Sequence, residues 1–244
     1  VRLMKRAALL VVFLIPLTAH GWTRASDARI AKKAAALAPA DLRAVIDLFP
    51  HEYDAGQQRA QASEGTSSHH FFVLSREGRL REHIEVETAA AIDAVRSKKP
   101  MSALVEHLGA LAHLVADANN PFHLANDNPS LTPMHDDFEQ YFERRLARFP
   151  TVFYGLSNDF SVASYFDRTF TRTSRYYPLL GEEYLRAQSS SGFDDRSTAF
   201  GVASVCYSHA VTDLVNLYYY IWKQAGGDTR AAPALQRGNL LLNP

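Results

Sequence analysis

The stretch "PMSALVEHLGALAHLVADANNPFH", residues 100–123, decides how this chain is read. Pro100 and Ser102 open a helix, since proline suits the first turn and serine can cap it. From Leu108 to Ala118 the residues are almost wholly apolar, which describes a helix surrounded by protein. Two side chains break that character. His113 and Asp117 are four apart, so on a helix they share one face and can reach one ion. "NNP" then ends the helix and His123 follows at once. Beyond the turn, "PMHDDFEQYFERRLARF" (133–149) repeats the geometry with His135 and Glu139. Imidazole and carboxylate at these spacings form a ligand set that zinc uses.

Working outward, helical periodicity dominates. "DARIAKKAAALA" follows Ser26, "PADLRAVIDLF" is a short helix, and "RLREHIEVETAAAIDAVRS" is a longer amphipathic one. "FSVASYFDRTFTRT" and "GEEYLRAQ" carry weaker helical patterns. "RSTAFGVASVCYSHAVTDLVNLYYYIWKQAGG" (196–227) is long, apolar and stopped by a glycine pair. No segment alternates long enough to require a sheet. The stretch "EYDAGQQRAQASEGTSSHHFF" (52–72) reads as a polar loop holding Asp54, Glu64, His69 and His70. The expectation is one all-α, multi-helix domain over 22–227, followed by a loose or docked tail at 228–244.

The first 21 residues have a basic start, the apolar run "AALLVVFLIPLTA", and small residues at Ala19 and Gly21. That is the layout of a cleaved secretory signal, making Trp22 the mature terminus and the protein secreted or periplasmic. Removing the signal leaves 23 basic and 26 acidic side chains, a balance of −3. Such a chain has no general pull toward nucleic acid or anionic membrane, so attraction to phosphate must be local. Cys206 is the one cysteine, which excludes an internal disulfide, and its apolar setting marks it as a core residue. His209 and Asp213 form another four-apart pair but lack a third partner and read as helix packing. His51, His83 and His107 read as surface positions.

The run "LGALAHLVADANNPFHLAND…HDDFE" resembles the zinc-dependent phospholipase C and S1/P1 nuclease superfamily. That pattern is H-x3-D-x5-H followed by H-x3-E or H-x3-D, and here it is filled by His113, Asp117, His123, His135 and Glu139. The likeness covers about Trp22 to Glu139; beyond that only helical character agrees. It implies the all-α fold of that superfamily, with two or three zinc ions. One would take His70, His113, Asp117 and an upstream carboxylate, Asp54 or Glu64, with Asp54 as the base orienting water. His70 is preferred to His69 because an aromatic follows it. A second ion would take His123, His135 and Glu139. A third would take the Trp22 terminus and share Asp117. Family members carry a histidine where this chain has Asp27, which serves either as substitute ligand or as helix cap.

Clustered zinc activates water and clamps phosphoryl oxygens, the chemistry of phosphodiester hydrolysis. Glu139, in place of aspartate, and the single cysteine favour the phospholipase C branch. Its substrate would be a phospholipid head group or other small phosphodiester, with weak action at a membrane surface. The alternatives are a single-strand nuclease of the S1/P1 type, whose partner is nucleic acid, and a non-catalytic zinc-binding helical protein.

Overall fold

The computed structural model describes residues 22–63, 66–125, 131–157, 159–232 and 240–242. Residues 1–21, read above as a secretory signal, and Glu64 lie outside the described residues. The fold is all-α, as expected. Its helices are α1 (Arg24–Leu37), α2 (Ala40–Leu48), α3 (Pro50–Gln61), α4 (Leu80–Arg96), α5 (Met101–Ala118), α6 (Pro121–Leu124), α7 (Thr132–Arg145), α8 (Val162–Ser174), α9 (Tyr177–Ala187) and α10 (Thr198–Gln224). One two-stranded antiparallel ribbon departs from the sheet-free expectation. In it β1 (Thr151–Phe153) pairs with β2 (Leu240–Leu242), Val152 opposite Leu241. None of the described helices is long and apolar enough to cross a membrane.

Helix α5 is the axis, packed against α3, α4, α10 and α1. Every residue from Leu108 to Ala125 is buried, so the apolar run is a core helix. His113 and Asp117 thus lie inside the protein, where polar groups persist only with partners. The α3–α5 crossing is close because glycines face it. A Cβ on Gly56 would fall 1.9 Å from Glu106 O, and one on Gly109 would fall 2.0 Å from Tyr53 O. Below this crossing Tyr218 Oη donates to Leu108 O at 2.8 Å and accepts from Tyr53 Oη at 2.6 Å.

Residues 52–61, read above as part of a polar loop, belong to α3. The buried face of this helix is Tyr53, Gly56, Gln57 and Ala60, with only one large apolar side chain, so its period is weak in sequence. Helix α1 starts one turn earlier than its reading from Ser26, and its cap is Thr23, whose side chain accepts from Ser26 N. Pro100, and not Ser102, occupies the cap of α5.

Candidate metal centre

Two groups of ligand atoms meet at the C-terminal end of α5. The first is His69, His113 and Asp117, and the second is His70, His123 and His135. Within each group the candidate ligand atoms lie within 4.8 Å of one another, and all six residues are buried. Helix spacing accounts for His113 with Asp117 and for His135 with Glu139. The tight turn at Asn119–Asn120 and the single turn of α6 bring His123 back beside them.

Hydrogen bonds determine which imidazole nitrogens point inward. Ser63 O lies 3.3 Å from His69 Nε2, and because a carbonyl only accepts, that nitrogen carries hydrogen. His69 Nδ1 is left facing Asp117 Oδ2 at 2.9 Å and His113 Nε2 at 3.2 Å. On the far side of its ring, His113 Nδ1 donates to Asp27 Oδ2 at 2.7 Å. His123 Nδ1 donates to His69 O at 2.7 Å, which turns its Nε2 toward Glu139 Oε1 at 3.3 Å. His135 Nε2 is 2.9 Å from the same oxygen, and Asn120 Nδ2 donates to it at 3.0 Å. Each ligand imidazole whose outer nitrogen is assigned here gives that N–H to a carbonyl or carboxylate, as metal-binding histidines do. Their inner nitrogens converge on carboxylate oxygens, an arrangement that requires a cation or extra protons between them. Asp117 Oδ1 and Asp27 Oδ1 are also buried without a hydrogen-bond partner. Nitrogen and carboxylate donors with unsatisfied buried oxygens fit a zinc-type ion.

The electrostatics differ between the groups. Burial alone would lower the His113 pKa, but Asp117 and Asp27 outweigh it and raise it to about 9. Burial likewise pushes Asp117 upward, yet His113 and His123 hold it below the usual carboxylate range. Asp27 is carried up to about 6, mainly by burial. The second group is dominated by desolvation. Burial pushes His123 well below and Glu139 well above their ordinary values, and it lowers His135. Charge pairing thus favours a charged His113–Asp117 pair in the first group, and burial favours the neutral forms of His123, His135 and Glu139 in the second.

The structure changes three of the expected assignments. His69, and not His70, joins His113 and Asp117, while His70 stacks on His123 with ring centroids 4.4 Å apart and planes 6° apart. Consecutive side chains leave this segment in different directions, so the two histidines serve the two groups separately. Asp54 is not at the centre: it projects from α3, is 55% exposed, and pairs with Arg24 at 3.3 Å. The i,i+4 turns of α3 place Tyr53 and Gln57 inward, which leaves Asp54 on the solvent side. Asp27 is helical and outside the cap position, and its carboxylate meets His113. Trp22 is 1% exposed, and its Nε1 donates to Ala116 O at 2.7 Å, beside Asp117.

Sequence reasoning missed two supporting residues. Asn120 caps α6 by accepting from Phe122 N at 3.1 Å while its amide holds Glu139. Asp213 accepts from Arg172, Thr169 and Asn119, bracing the end of α5, whereas His209 stacks on Tyr154. The Asn-Asn-Pro motif signals a turn, but nothing local names the partners of its amides.

No protein-family model and no curated protein sequence matches this chain. Among solved structures it is similar to the alpha-toxin of Clostridium perfringens isolated from avian strain SWCP, at TM-score 0.60 and 14% identity. It is similar also to the alpha toxin of Clostridium absonum, at TM-score 0.61 and 16% identity. The alignments cover 83% of this chain and 64% and 65% of the respective toxins, so it spans just under two thirds of their length. The likeness establishes a shared all-helical fold, the one expected from the sequence resemblance.

Proposed function

We propose that this chain is a zinc-dependent hydrolase of phosphodiester bonds acting on phospholipid head groups, as phospholipases C do. The observation that carries the reading is the pair of adjoining ligand groups, with imidazole nitrogens and carboxylate oxygens turned inward in each. A fold shared with the alpha-toxins supports it, as does the sequence resemblance to zinc-dependent phospholipases C. The leader-like residues 1–21 support action outside the cytoplasm.

In this reading His69, His113 and Asp117 hold one zinc, and His70, His123, His135 and Glu139 hold another. Bound zinc would supply Lewis acidity toward the phosphoryl oxygens and toward an attacking water. The protein's own residues do the rest. Asp27 fixes the His113 ring and leaves its Nε2 facing inward. His69 does the same for His123 through its carbonyl, so the first group orients the second. Asn120 holds the Glu139 carboxylate at the oxygen that the histidines face. Burial of all these groups keeps bulk water away and strengthens their fields on a phosphodiester. Asp54, exposed and paired with Arg24, has no part in the chemistry.

The test is hydrolysis of p-nitrophenylphosphocholine and of phosphatidylcholine vesicles by the zinc-loaded protein, with and without a chelator. Chelator-sensitive turnover on either supports the reading. Zinc-loaded protein that cleaves single-stranded DNA and neither of these overturns it in favour of a nuclease. Zinc-loaded protein without turnover on all three leaves a zinc-binding helical protein.

A further inference from the structure

Immediately after the ligand His70 the chain makes a tight hairpin, "FFVLSREG", residues 71–78. Phe72 N donates to Glu77 O at 2.8 Å and Arg76 N to Phe72 O at 2.7 Å, closing the turn. Arg76 sits at φ 60° and Gly78 at φ 100°. A Cβ on Gly78 would lie 2.1 Å from His70 O, so that backbone position requires glycine. The hairpin is fastened to the candidate metal centre. Phe71 N donates to His123 O at 2.9 Å and Val73 N to Leu124 O at 3.3 Å, which ties both residues to α6. The Phe71 ring packs on Phe170 of α8 at 4.9 Å.

A hairpin held this firmly would be expected to show water a polar tip, but this one shows leucine. Leu74 is 81% exposed, the most exposed large apolar residue among the described ones, and Val73, Phe72 and Phe71 are only partly buried. No acid lies between Phe71 and Ser75. The first charge reached is Arg76, exposed and without an ion pair among the described residues. An apolar tip with an adjacent free cation matches the two layers of a phospholipid surface, acyl chains beneath phosphates.

We propose that the 71–78 hairpin is a membrane-contact element that seats the protein on a phospholipid bilayer, Leu74 entering the acyl boundary and Arg76 meeting a lipid phosphate. This deepens the phospholipase reading and rests on it for the choice of lipid as occupant. Because His70 and the hairpin share one backbone segment, docking the tip holds the second ligand group at a fixed distance from the head groups.

The experiment compares the full-length, zinc-loaded protein with L74S, L74W and R76E. Vesicles of phosphatidylcholine and phosphatidylglycerol are used for co-sedimentation and hydrolysis, and p-nitrophenylphosphocholine as the soluble ester. L74S is expected to weaken vesicle partitioning about tenfold, the scale of one buried leucine, and L74W to restore it with a blue-shifted emission on vesicles. R76E is expected to lose binding mainly on anionic vesicles, and turnover of the soluble ester is expected to stay unchanged in all three. Wild-type partitioning by L74S, with no emission shift for L74W, would overturn the proposal. Co-sedimentation does not need turnover, so vesicle binding that depends on Leu74 without hydrolysis of any diester would sustain the membrane contact and refute the phospholipase reading.

Discussion

His113 Nδ1 lies 2.7 Å from Asp27 Oδ2, and this bond, between α5 and α1, orients the ring at the centre of the first ligand group. An aspartate at this position reads from sequence as a zinc ligand or a helix cap. In the fold one of its oxygens holds the candidate ligand His113, and the other is buried without a hydrogen-bond partner. Replacing it with asparagine keeps the shape but removes the charge that holds the imidazole. D27N is expected to lower zinc affinity about 10- to 100-fold, the usual effect of removing such a partner. Competition with a chelating dye measures it, and unchanged affinity would remove Asp27 from the site's design.

The two adjacent histidines make a sharper prediction. H69A should lose the zinc held with His113 and Asp117, and H70A the zinc held with His123 and His135. Cobalt substitution followed by absorption spectroscopy would show different bands missing in the two variants. Identical spectra would mean that both histidines serve one ion.

Proton release follows from the charge on His113. In the metal-free protein its raised pKa of about 9 keeps the ring protonated at neutral pH. Zinc must displace that proton, so apparent affinity should rise about tenfold per pH unit from 7 toward 9 and then level off. Calorimetry in buffers of different ionisation enthalpy counts the proton directly. A pH-independent affinity over this range would contradict the protonated cluster.

Stability at low pH depends in part on a carboxylate away from the candidate metal centre. Glu87 is pushed upward by burial, but His107 and Arg59 outweigh this and bring its pKa to about 2. A carboxylate depressed in the folded state stabilises above its unfolded pKa, and that contribution is lost as pH falls through the folded value. The stability difference between wild type and E87Q should therefore be full near neutrality and vanish between about pH 4.5 and pH 2. Urea melts across that range test it.

Gly109 supplies a test of the helix crossing that carries the centre. G109A adds a methyl group that would fall against Tyr53 O, forcing α3 and α5 apart. A loss of about 1–3 kcal/mol is expected, although alanine is the better helix former. Thermal melts of the metal-free protein isolate this from zinc binding.

The sequence carried the fold and half of the site in a readable form because both rest on local periodicity. His113 with Asp117, and His135 with Glu139, are set by helix spacing alone. His69 and His70 could not be assigned from sequence, because the direction of a side chain leaving a connecting segment depends on the α6 contact that holds it. Asp54 looked plausible only while α3 was read as loop; once Tyr53 and Gln57 turn inward, it must turn out. Asn120 was visible only as part of the Asn-Asn-Pro break that ends a helix; its bond to Glu139 is tertiary and leaves no local mark.

The most direct test of two adjoining metal sites is the zinc content of the purified chain after equilibration with zinc and removal of the excess, measured by elemental analysis against protein concentration. Two or more tightly held ions per chain are expected from the two ligand groups. One ion or none would contradict them, and with them the hydrolytic reading built on both.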